Sequence, residues 1–135
     1  MKHELKWAIM GPGEFSVEFL KDLRLAGMHL EAVGSRSLDR AQSYANKHSI
    51  NRAYGSYEEL VADKDIDVVY ISTTNNAHFA NAKLPLSSGK NVLLEKPFTL
   101  NAAQARELAA ISRLNGVFLM EAMWTRFLPN HKTLF

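Results

Sequence analysis

The sequence predicts an α/β fold, a doubly wound parallel sheet of six strands with helices on both faces. Short apolar runs typical of buried strands alternate with amphipathic helical segments roughly every 20 to 30 residues. Right-handed crossovers then join successive strands into one parallel sheet. Polar loops follow several of the runs, and in such a sheet ligands bind beyond the carboxyl ends of the strands. The predicted fold therefore indicates which loops could carry a site.

The composition fits about one domain. The chain has 135 residues, and 47% of them are hydrophobic, which is enough to bury a core. Its 16 basic and 14 acidic residues are spread without a cluster, which argues against nucleic-acid and membrane partners. Because cysteine is absent, no disulfide or thiolate metal site is expected, and no other metal site is predicted. No apolar run reaches the length of a signal or spanning segment, so we expect a cytoplasmic protein.

The first part of the chain supplies two strands and two helices. A strand over residues 5–10 runs into a glycine turn and then a helix, which Gly27 ends. A second strand over residues 29–34 precedes a helix over residues 38–48 that Ser37 can cap. Helical spacing predicts the apolar face of the first helix to be Phe15, Phe19, Leu20, Leu23 and Ala26.

The middle of the chain supplies two further strands. A short strand is predicted near residues 52–54. Ser56 and Glu59 have the spacing of a capping box, in which the two side chains satisfy free amides at the start of a helix. Residues 67–72 form an apolar, β-branched run that predicts the fourth strand, and a polar loop follows it.

The last part of the chain completes the sheet. A helix over residues 76–88 contains Pro85, which should kink it or end its regular part early. Residues 92–97 form the fifth strand, predicted to be fully buried. A helix begins near residue 101, and residues 117–120 form the sixth strand. The inner face predicted for that helix is Ala105, Leu108, Ala109 and Ser112.

The glycine turn after the first strand matches a dinucleotide-binding fingerprint. Gly11 suits the tight turn, and Gly13 lets the backbone approach a pyrophosphate at the start of the helix. Ser16 stands in for the third small residue. Because the turn directly follows a strand and opens a helix, we interpret it as the phosphate loop of a Rossmann fold rather than a purely structural turn, with Glu14 and Phe15 beside the cofactor.

The end of the second strand favours NADP over NAD. An NAD enzyme usually presents an acidic side chain there to the ribose 2′-hydroxyl, whereas this sequence has Ser35 and Arg36. A guanidinium suits a 2′-phosphate, and Arg40 lies one helical turn further on. The alternative is that both arginines are solvated helix charges. A methyltransferase that binds S-adenosylmethionine is less favoured, because that ligand usually requires an acidic residue at this position.

Three other strand ends carry polar or aromatic residues. Glu95 and Lys96 follow the fifth strand, although a lysine after a strand is more often a solvated loop charge. His78 follows the loop after the fourth strand and could equally be a surface or capping residue. Trp124 and Arg126 follow the sixth strand, where they could serve a ligand, an interface or the core.

With these motifs in hand, the sequence resembles the Gfo/Idh/MocA oxidoreductases, a family named for glucose–fructose oxidoreductase and inositol dehydrogenase. The resemblance spans nearly the whole chain, and its most specific parts are residues 89–97 and 120–129. The second of these, with residues 53–60, resembles the branch of trans-1,2-dihydrobenzene-1,2-diol dehydrogenases and NADP-dependent D-xylose dehydrogenases. Two departures are Thr74, where the family commonly has proline, and Ser16.

The resemblance also implies roles for individual residues. Lys96 would position the substrate hydroxyl and the nicotinamide and assist proton transfer, and the bond to Pro97 would be cis. Arg36 and Arg40 match positions that hold the 2′-phosphate and adenine, and His78 matches a histidine near the active site. The predicted catalytic residues are Lys96 and His78. The predicted cofactor-binding residues are Gly11, Gly13, Glu14, Phe15, Ser35, Arg36, Arg40, Thr73, Thr74, Asn75, Glu95, Lys96, Trp124 and Arg126.

The resemblance further implies that a second domain is needed for activity. Residues 1–122 would form the dinucleotide-binding domain, and residues 123–135 would begin the connection to a substrate domain that supplies the main acid or base. Hydride transfer requires the substrate and nicotinamide in a near-attack geometry with water excluded. We therefore expect the cofactor-binding part of an NADP-dependent oxidoreductase that acts on a secondary alcohol of a sugar or cyclic diol.

Two expectations concern partners. The alternative to an enzyme is a non-catalytic NADP-binding sensor or a partner-docking module built on the same fold. In either case, a cluster of apolar residues near the end of the chain should be exposed and should drive self-association or homo-oligomer formation. These residues are Trp124, Phe127, Leu128, Leu134 and Phe135.

Overall fold

A computed structural model describes residues 4–134 as six parallel strands and six α-helices. The strands are β1 Lys6–Met10, β2 His29–Gly34, β3 Arg52–Tyr54, β4 Val68–Ile71, β5 Asn91–Glu95 and β6 Leu119–Ala122. The helices are α1 Glu14–Leu25, α2 Leu38–His48, α3 Tyr57–Ala62, α4 His78–Ser87, α5 Ala102–Asn115 and α6 Pro129–Leu134. The sheet order β3-β2-β1-β4-β5-β6 is that of a Rossmann fold, so the predicted fold class is confirmed.

Helices cover both faces of the sheet, as predicted. On one face, buried residues of α3, α4 and α5, among them Leu60, Leu86 and Leu108, pack with Val69 and other strand residues. On the other face, α1 and α2 pack on β1 and β2 through a second buried cluster. Because β1 and β4 lie side by side at the centre, the loops that follow them meet at the point where the strand order reverses.

The apolar face of α1 differs from the predicted one at both ends. Phe15 is 72% exposed, and Ala26 lies exposed at the C-cap. Ser16 takes the inward position at the start of the helix instead and is fully buried. Phe15 precedes Phe19 by one helical turn and so lies on the same side of α1, but it stands in the first turn of the helix, where it stays exposed. Phe19, Leu20 and Leu23 pack inward as predicted.

The prediction that β5 is fully buried is wrong for one of its faces. Val92 and Leu94 are buried against the α4 and α5 side, whereas Leu93 is only half-buried. Leu93 lies at the margin of the cluster formed by α1 and α2, which cover the other half of the sheet. The apolar run therefore predicted the strand correctly. It did not indicate that helices fully cover only one of the two faces of β5.

Several element boundaries follow from local hydrogen bonds. Ser37, Ser56 and Asn101 cap α2, α3 and α5, each accepting a hydrogen bond from the amide three residues later. Pro85 lies inside α4, which ends two residues later at Ser87. The sixth strand begins two residues later than predicted, because the Ser112 hydroxyl and the Asn91 side chain bind the backbone of residues 117 and 118.

Three charged residues near the amino edge of the sheet, Lys90, Arg52 and Asp63, have partners. The Lys90 ammonium, in a residue that is 8% exposed, donates to the carbonyls of Asp63 and Ile66 at 2.7 Å each. Arg52 Nε lies 2.8 Å from an Asp63 carboxylate oxygen, to which the Tyr54 hydroxyl donates at 2.7 Å. Burial acts to raise the pKa of Asp63, but hydrogen bonds from Tyr54 and a backbone amide, with the charge of Arg52, bring it below its ordinary value.

Candidate functional site

The glycine turn is shaped by the loop that follows β4. Gly11 has φ +97°, and a Cβ placed there would lie 2.9 Å from the Thr73 methyl carbon. The Ser72 hydroxyl donates to the Gly11 carbonyl at 2.9 Å. The Gly11 amide in turn donates to the carbonyl of Gly34 at the end of β2. Three strand ends are thus joined at this turn, and only glycine fits its first position.

Gly13 and Ser16 prepare the start of α1. The Gly13 amide donates to Ser16 Oγ at 3.1 Å, and the Ser16 hydroxyl donates to the Gly13 carbonyl at 2.5 Å. Ser16 Oγ also shares a hydrogen bond of 2.9 Å with the Tyr44 hydroxyl on α2. A Cβ on Gly13 would meet no atom within 4 Å, so the space beside it is open. A phosphate could therefore approach this backbone and the positive end of the helix dipole.

A cavity of 530 Å³ extends from this turn toward the end of β2. Arg36 and Arg40 line it, and both are exposed. Among residues 4–134, neither guanidinium makes a hydrogen bond or an ion pair. The residues that line this cavity are Gly11, Pro12, Gly13, Ser35, Arg36, Ser37, Arg40, Tyr57, Ser72, Thr73, Thr74, Ala77 and Asn81. Since none of these is acidic, the cavity suits an anionic ligand.

Ser35 lines the cavity and also shapes the loop. The residue is 3% exposed, and its Oγ accepts a hydrogen bond from the Ser37 amide at 3.2 Å. Ser37 Oγ in turn accepts from the Arg40 amide as the cap of α2. These bonds turn the chain from β2 into α2 and present Arg36 and Arg40 to the same cavity. The two arginines therefore supply the positive charge of the cavity lining.

Tyr57 and Asn81 line the cavity but were not identified from the sequence. Burial raises the pKa of the Tyr57 hydroxyl, although the charges of Arg36 and Arg40 oppose the shift. Asn81 donates to Thr73 Oγ1 at 2.9 Å, and it lies three residues after His78 on the same face of α4. Ser72 was also missed, although it directly follows β4, a position where ligand contacts are expected.

The loop after β4 keeps the shape of a proline-containing loop. Thr74, where the family resemblance leads us to expect proline, has φ −65° and ψ 151°. This φ is the value that a proline ring imposes. A short 3₁₀ helix, Asn75–Ala77, connects this residue to α4. The substitution therefore leaves the path of the backbone compatible with the family pattern.

A second cavity of 220 Å³ adjoins the first at Ser72 and Thr73. Its lining residues are Phe15, Ser72, Thr73, Asn75, His78, Glu95, Lys96 and Pro97. His78 is 1% exposed, and its ring nitrogens lie 2.8 Å from the Pro97 carbonyl oxygen and 3.1 Å from that of Thr73. The His78 imidazole therefore connects the loop after β4 to the turn after β5.

Lys96 occupies the exposed lip of the second cavity. The Lys96–Pro97 bond is cis, as the family resemblance implied. Within the described part of the chain, the Lys96 ammonium has no hydrogen bond or ion pair. Glu95 Oε1 accepts a hydrogen bond from the Tyr70 hydroxyl at 2.7 Å, and Oε2 accepts one from the Lys96 amide at 3.1 Å. Lys96, unpaired among residues 4–134, thus directly follows a residue whose carboxylate is fixed.

Three predicted cofactor residues line neither of these two cavities. Glu14 borders a shallow depression on the outer side of α1. Trp124 and Arg126 lie on an exposed 3₁₀ helix, Trp124–Phe127. Trp124, Phe127 and Leu128 are 69%, 60% and 42% exposed. Phe135 and the side chain of Leu134 lie outside the described residues.

Relatives of known name match most of this chain. Trans-1,2-dihydrobenzene-1,2-diol dehydrogenase from Sus scrofa is 48% identical over 128 residues, which cover 93% of this chain and 38% of the relative. The human protein of that name is 45% identical over 133 residues, 96% of this chain and 40% of the relative. The chain therefore spans about two fifths of the length of these curated relatives.

Solved structures agree with the fold. An NAD binding oxidoreductase from Klebsiella pneumoniae is 31% identical, with a TM-score of 0.90 over 94% of this chain and 36% of that one. A 3-ketoreductase from Actinomadura kijaniata in complex with TDP-benzene and NADP is 28% identical, with a TM-score of 0.89 over 98% of this chain and 42% of that one.

None of the helices within residues 4–134 is long and apolar enough to cross a membrane.

A family model described as an oxidoreductase family with an NAD-binding Rossmann fold matches residues 5–123. The match covers most of the strands and helices that build both cavities, from β1 to the end of β6. The chain therefore belongs to the Gfo/Idh/MocA oxidoreductase family and contains its NAD(P)-binding Rossmann fold.

Proposed function

We propose that this chain is the cofactor-binding part of an NADP-dependent oxidoreductase acting on a secondary alcohol of a sugar or cyclic diol. In this proposal, residues 1–122 bind the dinucleotide, and residues 123–135 begin the connection to a substrate domain. The observation that carries the NADP assignment is the pair of guanidiniums of Arg36 and Arg40, which have no partner among residues 4–134 and line a cavity without a lining carboxylate. The NADP bound to the related 3-ketoreductase supports the same choice.

The two cavities suit the two ends of such a cofactor. Arg36 and Arg40 would hold the ribose 2′-phosphate, since a guanidinium can pair with two phosphate oxygens. The open backbone at Gly13 and the start of α1 would receive the pyrophosphate. The second cavity would then receive the nicotinamide beside Lys96. The names of the relatives support a diol as substrate.

The residues of the second cavity have separable tasks in this proposal. When bound, the cofactor accepts or gives a hydride at C4 of the nicotinamide ring. The Lys96 ammonium lowers the cost of negative charge on the substrate oxygen as its proton leaves. His78 keeps the loops around Lys96 in register through its two carbonyl contacts. Lys96 is thus the proposed catalytic residue, and His78 supports it.

Titration of the chain with NADPH and with NADH, followed by nicotinamide fluorescence, tests the cofactor assignment. We expect NADPH to bind at least about tenfold more tightly, because a hydrogen bond between charged groups contributes about 1.5–3 kcal/mol. Arg36→Gln should remove most of this preference and leave NADH binding unchanged. Arg106→Gln, on the exposed surface of α5, is the matched control. Equal binding of both cofactors, or no binding, would overturn the NADP assignment.

A further inference from the structure

Tyr70 on β4 is a buried residue whose hydroxyl reaches the reactive end of β5. It is 1% exposed, and its hydroxyl donates to Glu95 Oε1 at 2.7 Å. Tyr70 is paired with Leu93 in the parallel ladder. Glu95 lies two residues beyond Leu93 and so on the same face of the sheet. The hydroxyl therefore meets the carboxylate along a diagonal between neighbouring strands.

The position of the Tyr70 ring is fixed by its neighbour on α1. The rings of Phe19 and Tyr70 stack with centroids 3.8 Å apart and an interplanar angle of 12°. Trp7 packs against Phe19, with ring centroids 5.6 Å apart. Burial, together with the hydrogen bond to Glu95, raises the pKa of the Tyr70 hydroxyl well above its usual range. The hydroxyl is thus held in place as a permanent donor.

Both oxygens of the Glu95 carboxylate are consequently engaged. Oε1 accepts from Tyr70, and Oε2 accepts from the backbone amide of Lys96. The ammonium of Lys96 is the cation nearest in sequence to this carboxylate, yet the two form no ion pair within the described part of the chain. A released Glu95 side chain would be free to turn toward that ammonium, because opposite charges on flexible neighbouring side chains attract.

We propose that Tyr70 is a positioning residue that holds the Glu95 carboxylate away from the Lys96 ammonium. Its catalytic importance rests on the proposed function, in which the Lys96 ammonium must remain available to the substrate oxygen. The geometric part, that the hydroxyl of Tyr70 controls the surroundings of Lys96, can be tested without cofactor or substrate. Tyr70→Phe removes the hydroxyl and keeps the ring that stacks on Phe19.

Trace labelling with acetic anhydride, with the Lys96 peptide quantified by mass spectrometry, measures how readily this amine reacts. In Tyr70→Phe we expect the labelling rate of Lys96 to fall about threefold, which corresponds to about 0.65 kcal/mol, because an exposed ion pair with Glu95 makes the amine less reactive. The double variant Tyr70→Phe, Glu95→Gln should restore the rate of the unaltered chain. This rescue separates a released charge from a general loosening of the fold.

Tyr54→Phe is the matched control for the single variant. Its hydroxyl donates to the Asp63 carboxylate at the same distance of 2.7 Å, but near the amino edge of the sheet. Lys96 labelling should be unchanged in this variant. Lys90, which is buried, should resist labelling in every variant that has folded. If Lys90 is labelled in Tyr70→Phe, that variant has not folded, and Glu95→Asp is used in its place. Its shorter side chain should loosen the Tyr70 contact and also slow Lys96 labelling.

Three results would overturn the proposal for Tyr70. These are an unchanged Lys96 rate in Tyr70→Phe, an equal fall in Tyr54→Phe, and a failure of Glu95→Gln to restore the rate. The NADPH titration is independent of all three. If labelling behaves as expected but NADPH does not bind, the proposed function fails and the role of Tyr70 stands. If NADPH binds and labelling does not change, only the role of Tyr70 fails.

Discussion

The cations at the two edges of the parallel sheet differ in whether they have partners. At the amino edge, the Lys90 ammonium is buried and donates to two carbonyls, and Asp63 is paired with Arg52. At the carboxyl edge, Arg36 and Lys96 are exposed and, within residues 4–134, unpaired. The same residue types thus stabilise the fold at one edge and stay available to a ligand at the other. Partners, rather than residue type, distinguish a structural charge from a functional one.

The largest expected effect comes from exchanging one lysine at each edge. Lys90→Met should lower the free energy of unfolding by about 3 kcal/mol, because two hydrogen bonds from a charged donor are lost, each of which contributes about 1.5–3 kcal/mol. Lys96→Met should change it by less than about 0.5 kcal/mol, as is usual for an exposed side chain. Urea denaturation of both variants measures the difference. Similar losses in the two variants would mean that the edges are not energetically distinct.

A smaller effect should appear in the pH dependence of stability. The folded pKa of Asp63 lies below its ordinary value of 3.8. Its contribution is therefore fully present above that value and is lost as the pH falls through the folded pKa. We expect Asp63→Asn to lower the free energy of unfolding by about 1–2 kcal/mol near neutral pH, because Arg52 then loses its charged partner.

Asp63→Asn and the unaltered chain, compared at several pH values, also show which result would contradict this prediction. Denaturation of Asp63→Asn and the unaltered chain, repeated at decreasing pH, should show the gap closing in acid. A gap that stays constant across this range would show that the Asp63 charge contributes nothing to stability. Arg36→Gln should show no such pH-dependent loss, because its guanidinium has no partner among residues 4–134.

The smallest effect concerns apolar exposure at the two edges. Phe127 lies just after the carboxyl edge, together with Trp124 and Leu128. Leu25, which is 86% exposed, is the last residue of α1 and lies toward the amino edge. We propose that the first group drives self-association. Phe127→Ser should weaken association by about fivefold, since partial burial of an aromatic ring contributes about 1 kcal/mol. Leu25→Ser should not. Sedimentation equilibrium measures both, and a strict monomer before substitution would exclude the idea.

Local patterns in the sequence were sufficient for the fold. Ser37 and Ser56 marked helix starts, and the apolar runs marked strands, because capping and strand burial depend on nearby residues. Phe15 and Leu93 were placed wrongly for the opposite reason. Whether a neighbour covers an apolar side chain depends on where the helices cross the sheet, and the helical period or an apolar run does not contain that information.

The candidate site could be predicted only in part. The glycine turn, Arg36 and Lys96 stand at strand ends, so sheet topology alone brings them to one edge. The hydrogen bonds that set their surroundings join distant parts of the chain, and Tyr70 binds a carboxylate 25 residues away. Ser35 lines the cavity, and its oxygen also accepts a hydrogen bond from the Ser37 amide two residues later. No spacing rule predicts a contact such as that of Tyr70 with Glu95.

The contact of Gly11 with the loop after β4 also bears on how the molecule is built. Ser72, 61 residues away, binds the Gly11 carbonyl, and the Thr73 methyl group fills the space beside it. During synthesis the glycine turn leaves the ribosome long before this loop does. A nascent chain that ends before β4 contains the complete glycine motif but lacks the contacts that shape it. Affinity for a dinucleotide should therefore arise in one late step, when the two halves of the sheet join.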